Sequence, residues 1–137
     1  MIREFVEKWD KYKKDLEDYF RNTKQSEYDK YEKIVKLLFE KVIDRDKLFG
    51  EYDLDNMIVI DDGDYSGTQI FIIHKDSYQP DIDDYVYTHT YYGSCSGCDT
   101  LLSISSYDED LPDESQVEAY MTVALHLLQR LKIMGKE

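Results

Sequence analysis

The chain has 137 residues, a formal net charge of −13, 42% hydrophobic and 14% aromatic side chains. That length suits one domain, spanning residues 1–137 and burying roughly two thirds of its unfolded-state surface. The charge excludes direct nucleic-acid binding through a basic stripe, and no apolar run approaches the roughly 18 residues needed to cross a bilayer.

Ile2, Phe5, Val6, Trp9, Tyr12, Leu16, Tyr19 and Phe20 recur at steps of three and four, which predicts an amphipathic first helix. Glu4 with Lys8 and Glu7 with Lys11 add acid-before-base pairs on its other face. Asn22, Thr23 and Ser26 offer turn and capping chemistry, and a second stripe of Tyr28, Tyr31, Ile34, Val35, Leu38, Val42 and Ile43 completes an N-terminal helical hairpin.

From Asp44 the pattern changes. Met57-Ile58-Val59-Ile60 reads as a strand, Asp61-Asp62-Gly63-Asp64 as a turn in which Gly63 supplies positive φ, and Thr68 to Ile73 as the returning strand of a hairpin. Asp84 to Tyr92, dense in Tyr, Val and Thr, predicts a third strand. Leu101 to Ile104 is open between a short helix capped by Asp99 and irregular chain. Pro112, Asp113 and Ser115 open a long final helix marked by Val117, Tyr120, Met121, Ala124, Leu125, Leu128 and Leu131. The expected class is α+β: a helical hairpin, a central three-stranded antiparallel sheet and a long C-terminal helix.

The charge is concentrated in the middle of the chain. Residues 44–110 carry 3 basic and 16 acidic side chains, a net charge of −13, whereas residues 1–43 and 111–137 are nearly balanced. Such a field attracts basic surfaces and repels phosphates. The chain holds 13 tyrosines, many beside aspartates, and a tyrosine ring with its polar tip is a common contact residue. The expected partner-binding residues are therefore Asp53, Asp55, Asp61, Asp62, Asp64, Tyr65, Asp83, Asp84, Tyr85, Tyr107 and Asp108. The plainer reading of the same residues is solvated loops and strand tyrosines packed on helices.

Other chemistry is thinly supported. Cys95 and Cys98 are the two cysteines, and a Cys-x-x-Cys can form a redox pair or hold one edge of a metal. A zinc site would draw its remaining ligands from His74, His89, His126 or Asp99, without a second Cys-x-x-Cys to support it. A redox pair of the thioredoxin type would sit in a βαβ unit, which the order of elements does not provide. A small metal-binding or redox protein using Cys95 and Cys98 is the alternative reading. Asp61, Asp62 and Asp64 form half of a calcium loop whose closing Glu is missing. No glycine-rich phosphate loop and no Gly-x-Ser-x-Gly motif is present, which argues against phosphoryl transfer and serine hydrolysis. No catalytic residue and no cofactor are expected.

Tyr91-Tyr92-Gly93-Ser94-Cys95-Ser96-Gly97-Cys98-Asp99-Thr100-Leu101, followed by Met121-Thr122-Val123-Ala124-Leu125-His126-Leu127-Leu128, resembles small uncharacterised proteins of bacteriophages and prophages, over residues 84–134. The resemblance implies a phage-encoded protein acting in the host cytoplasm. Joined to the charge, it suggests a non-enzymatic inhibitor that docks on a basic host protein such as a nuclease or CRISPR effector, with nucleic-acid mimicry as one form.

Overall fold

The computed structural model describes residues 2–25, 30–46, 51–63, 66–93, 99–104 and 111–135. Helix α1 (Arg3–Asn22) follows the predicted stripe, burying Phe5, Trp9, Leu16 and Phe20. Its last turn is tied to the next long helix by Arg21, whose guanidinium spans both carboxylate oxygens of Glu114 at 2.9 and 3.0 Å and also reaches Glu17 at 2.6 Å. Helix α2 (Tyr31–Leu38) runs into one π-helical turn, Phe39–Ile43. The wider turn lets Phe39, Val42 and Ile43 all point into the core. Ser26 and Tyr28 lie outside the described residues.

Four strands follow. β1 (Ile58–Asp61), β2 (Gly67–His74), β3 (Tyr85–Tyr92) and β4 (Lys132–Ile133) form one antiparallel sheet in the order β1-β2-β3-β4. The expected three-stranded sheet is thus one strand short. The final helix, α4 (Glu114–Gln129), stops before Leu131, and the chain turns back to pair Val86 with Ile133 and Tyr87 with Lys132. Two residues are too few for an alternation to register as a strand in sequence.

Between β1 and β2, Gly63 serves by its close approach to Ser66, not by the positive φ expected of it. Gly135 is the described glycine with positive φ. A Cβ on Gly63 would lie 2.0 Å from the Ser66 carbonyl oxygen.

Leu101 to Ile104 lie in a short helix, α3 (Thr100–Ile104). α4 begins with Asp113 as N-cap, its carboxylate accepting from Gln116 N at 2.8 Å while the Gln116 amide oxygen accepts from Asp113 N at 2.9 Å. The helices cover one face of the sheet. Phe71, Ile73 and Val86 meet Leu127, Leu128 and Leu131 in the core, and the buried Thr88 hydroxyl donates to the Leu127 carbonyl at 2.8 Å. Phe20 stacks on Tyr120 with centroids 5.0 Å apart. No helix among the described residues is long and apolar enough to cross a membrane.

Candidate interaction surface

Side chains alternate across a pleated sheet, and residues paired between antiparallel strands share a face. The pairings Ile58 with Ile72 and Ile60 with Ile70 on β1–β2, then Ile72 with Tyr87 and Ile70 with His89 on β2–β3, place these six side chains on the face opposite the helices. Tyr85 and Tyr91 share it through their pairing with His74 and Thr68. Ile58, Ile60 and Tyr91 are exposed at 48%, 46% and 65%, and the remainder are half-buried by their own neighbours. None belongs to the helix-side core. A contiguous apolar and aromatic face of this kind marks an interaction site more often than it does ordinary surface.

Two imidazoles sit within it. His89 meets Tyr91 edge-on at 5.8 Å and His74 packs on Tyr85 at 5.5 Å. Burial, then the nearby Arg130 and Lys132 charges, hold the His89 pKa below its ordinary value. At neutral pH the ring is therefore uncharged and adds no charge to this face, which also carries Lys132 through its pairing with Tyr87.

The expected partner-binding residues that are described fall at the two ends of this face. At one end, where β1 and β3 begin and β2 finishes, stand Asp53, Asp55, Asp83, Asp84 and Tyr85. Asp53 accepts from Asn56 at 2.6 Å and lies 3.9 Å from His74 Nε2, and the Asn56 hydrogen bond lowers its pKa. Asp84 accepts from Asp81 N at 2.9 Å within a 3-10 turn (Ile82–Asp84). At the other end stand Asp61 and Asp62. Asp61 is bonded by the Tyr92 hydroxyl, Gly63 N and Gln69, which together hold its carboxylate below the usual range. Asp62 accepts from Thr68 N at 2.6 Å. The eight residues of β2 separate the two ends, a span of about 23 Å at the usual strand rise. Sequence reasoning found the acids but missed the apolar face between them.

Asp64, Tyr65, Cys95, Cys98, Tyr107 and Asp108 lie outside the described residues. Among the described residues no group of three His, Cys, Asp or Glu side chains is placed to hold a metal. His74 is the last residue of β2, as a strand end should be. His126 is exposed on α4 and not part of its apolar face, whereas Asp99 is buried at 6% exposure and accepts from Tyr31 Oη at 2.9 Å and Gly93 N at 2.8 Å. Leu101 N in turn donates to Tyr31 Oη at 3.0 Å. This network joins α2, the end of β3 and α3, and its groups satisfy one another. No family model, curated protein or solved structure matches the chain.

Proposed function

We propose that the protein is a non-enzymatic binding module that docks on a basic protein through the uncovered face of its sheet. The observation that carries this reading is the apolar strip of Ile58, Ile60, Ile70, Ile72, Tyr87 and Tyr91 with aspartates at both ends. Such an apolar centre with a charged border is the anatomy of a protein–protein contact. Aspartates at both ends would steer a cationic partner onto the strip and reject acidic ones. Among the described residues the acids form two poles and not a continuous track, which favours a protein surface over a phosphate-spaced nucleic-acid mimic. The resemblance of residues 84–134 to phage and prophage proteins supports a host protein as the partner, a nuclease or CRISPR effector being the class, met in the host cytoplasm.

Capture from a bacterial lysate tests this, comparing the wild type with an Ile60→Ser, Tyr91→Ser double variant that removes exposed apolar groups without changing charge. The reading expects a basic protein retained by the wild type and lost from the variant. Its retention should also fall as added salt shrinks the Debye length from about 30 Å at 0.01 M to about 3 Å at 1 M. Displacement of that protein by duplex DNA would identify the mimic form. Capture indifferent to both the double variant and salt would refute the docking surface.

A further inference from the structure

The two edges of the sheet are built differently. On one side β4 has two residues, carries Lys132, and leads at once into a turn held by Met134 N donating to the Tyr85 carbonyl at 2.9 Å. Short length and lysine are devices by which native sheets discourage a further strand. On the other side β1 carries no lysine, no proline and no glycine, and all four of its residues are exposed. Val59, which points to the helix side, is 37% exposed, so no helix covers this edge there. Among the described residues nothing pairs with the free side of β1.

The ladder shows which backbone groups are presented. Asp62 N donates to the Thr68 carbonyl at 3.2 Å, which marks that pair as hydrogen-bonded. Antiparallel pairs alternate, so Ile60 with Ile70 and Ile58 with Ile72 are bonded likewise. The N–H and C=O groups of Val59 and Asp61 then point away from the sheet.

We infer that β1 accepts an extended strand from the partner, apolar at its centre and carrying Lys or Arg at both ends. The inference rests on the proposed docking function and names the segment the same surface would take. Main-chain hydrogen bonds at Val59 and Asp61 would supply the pairing, and the added strand would continue the apolar face past Ile58 and Ile60. The end charges follow from the sequence around β1, where Asp53 and Asp55 precede the apolar run and Asp61 and Asp62 close it. A second copy of this chain fits poorly. With acids at both ends of the strand, either direction of self-pairing sets carboxylates against carboxylates, between chains that each carry a net charge of −13.

The probe is a synthetic peptide alternating Val and Thr at its centre with Lys-Arg at each end, followed by fluorescence anisotropy and by amide hydrogen exchange. Binding should slow exchange at Val59 and Asp61, and replacing the Lys-Arg ends by Glu-Asp should weaken it about tenfold or more. Val59→Pro should abolish binding with the melting temperature unchanged, because the N–H it removes faces solvent. A peptide N-methylated at alternate central residues makes the same cut with the protein unaltered. Failure of the peptide to bind, or binding that survives both Val59→Pro and N-methylation, overturns the edge inference. If lysate capture remains sensitive to salt and to Ile60→Ser, Tyr91→Ser, the docking face itself still stands. A wild-type dimer in sedimentation that Val59→Pro dissociates would also overturn it, by making the occupant a second copy.

Discussion

Replacing Asp99 by Ala removes the acceptor at the centre of the buried network that holds α2, β3 and α3 together. Among the described residues two donors lose this acceptor: the Tyr31 hydroxyl, bonded at 2.9 Å, and Gly93 N, bonded at 2.8 Å. Burial, chiefly, pushes the Tyr31 hydroxyl up to about 12, so it remains a proton donor throughout the physiological range. A hydrogen bond to a charged group contributes about 1.5–3 kcal/mol, and leaving its partner buried and unsatisfied forfeits that much. Gly93 is half-exposed and can turn to water, which places the expected loss near the lower end of the sum, about 3 kcal/mol. Urea denaturation reads this as a midpoint lowered by about 1.5 M at an ordinary slope. Tyr31→Phe alone should cost about 1–3 kcal/mol, since Leu101 N loses its acceptor as well. In the double variant the two losses should fall short of additive by about 1 kcal/mol or more, because the side chains share one bond. A loss under about 0.5 kcal/mol for Asp99→Ala, or strict additivity with Tyr31→Phe, would refute the reasoning.

Two other substitutions probe the frame. Trp9 is buried where α1 meets Val117 and Met121 of α4, so Trp9→Ala should cost about 3–5 kcal/mol and lower the melting temperature by about 10 °C or more; an unchanged melting curve would place the ring outside the core. Among the described residues, one buried carboxylate oxygen of Asp44 finds no hydrogen-bond partner, and desolvation raises its pKa. A carboxyl whose folded-state pKa is raised costs stability once pH rises past its ordinary value. Asp44→Asn should therefore stabilise the protein at neutral pH and make no such gain in acid below that value, as melting at the two pH values would show.

The legible parts of the fold were those whose pattern repeats. α1 repeats an apolar step over five turns, and β3 alternates Tyr85-Val86-Tyr87-Thr88-His89-Thr90 so regularly that its two faces can be assigned before any neighbour is known. β4 could not be seen, since its identity as a strand depends on Val86 and Tyr87 being beside it. The π turn is similarly silent, because Phe39, Val42 and Ile43 would look apolar on an ordinary helix too. The exposure of Ile58-Val59-Ile60 and of one face of Ile70 to Ile73 was not legible in the sequence. A continuous apolar run reads as a strand covered on both sides, and here the helices cover only one, leaving Ile58, Ile60, Ile70 and Ile72 outside. Their gathering into one strip, and the parting of Asp53 from Asp61, depend on register and not on composition.

The same strip gives His89 a pH signature. Its ring lies beside Tyr91, faces the Arg130 and Lys132 cations, and has its pKa lowered, first by burial and then by those charges. Between its ordinary value and the lower folded value, the unfolded chain binds a proton that the folded chain does not, so falling pH favours unfolding across that window. Above the ordinary value the contribution is fully present, and below the folded value the loss stops growing. The wild type should therefore lose melting temperature relative to His89→Gln as pH falls from about 7 to about 5. The comparison with this variant isolates His89 from His74 and His126. Binding should weaken only as pH falls through the lower folded value, where the folded protein itself takes up the proton, because a protonated His89 then adds a cation to a face meant for a basic partner. Asp53 and Asp61 will not offset this, since their own lowered pKa values keep both carboxylates charged there already. Parallel melting curves for the two proteins across that range would show that His89 titrates in a solvent-like setting, and the apolar character assigned to the face around it would be lost with it.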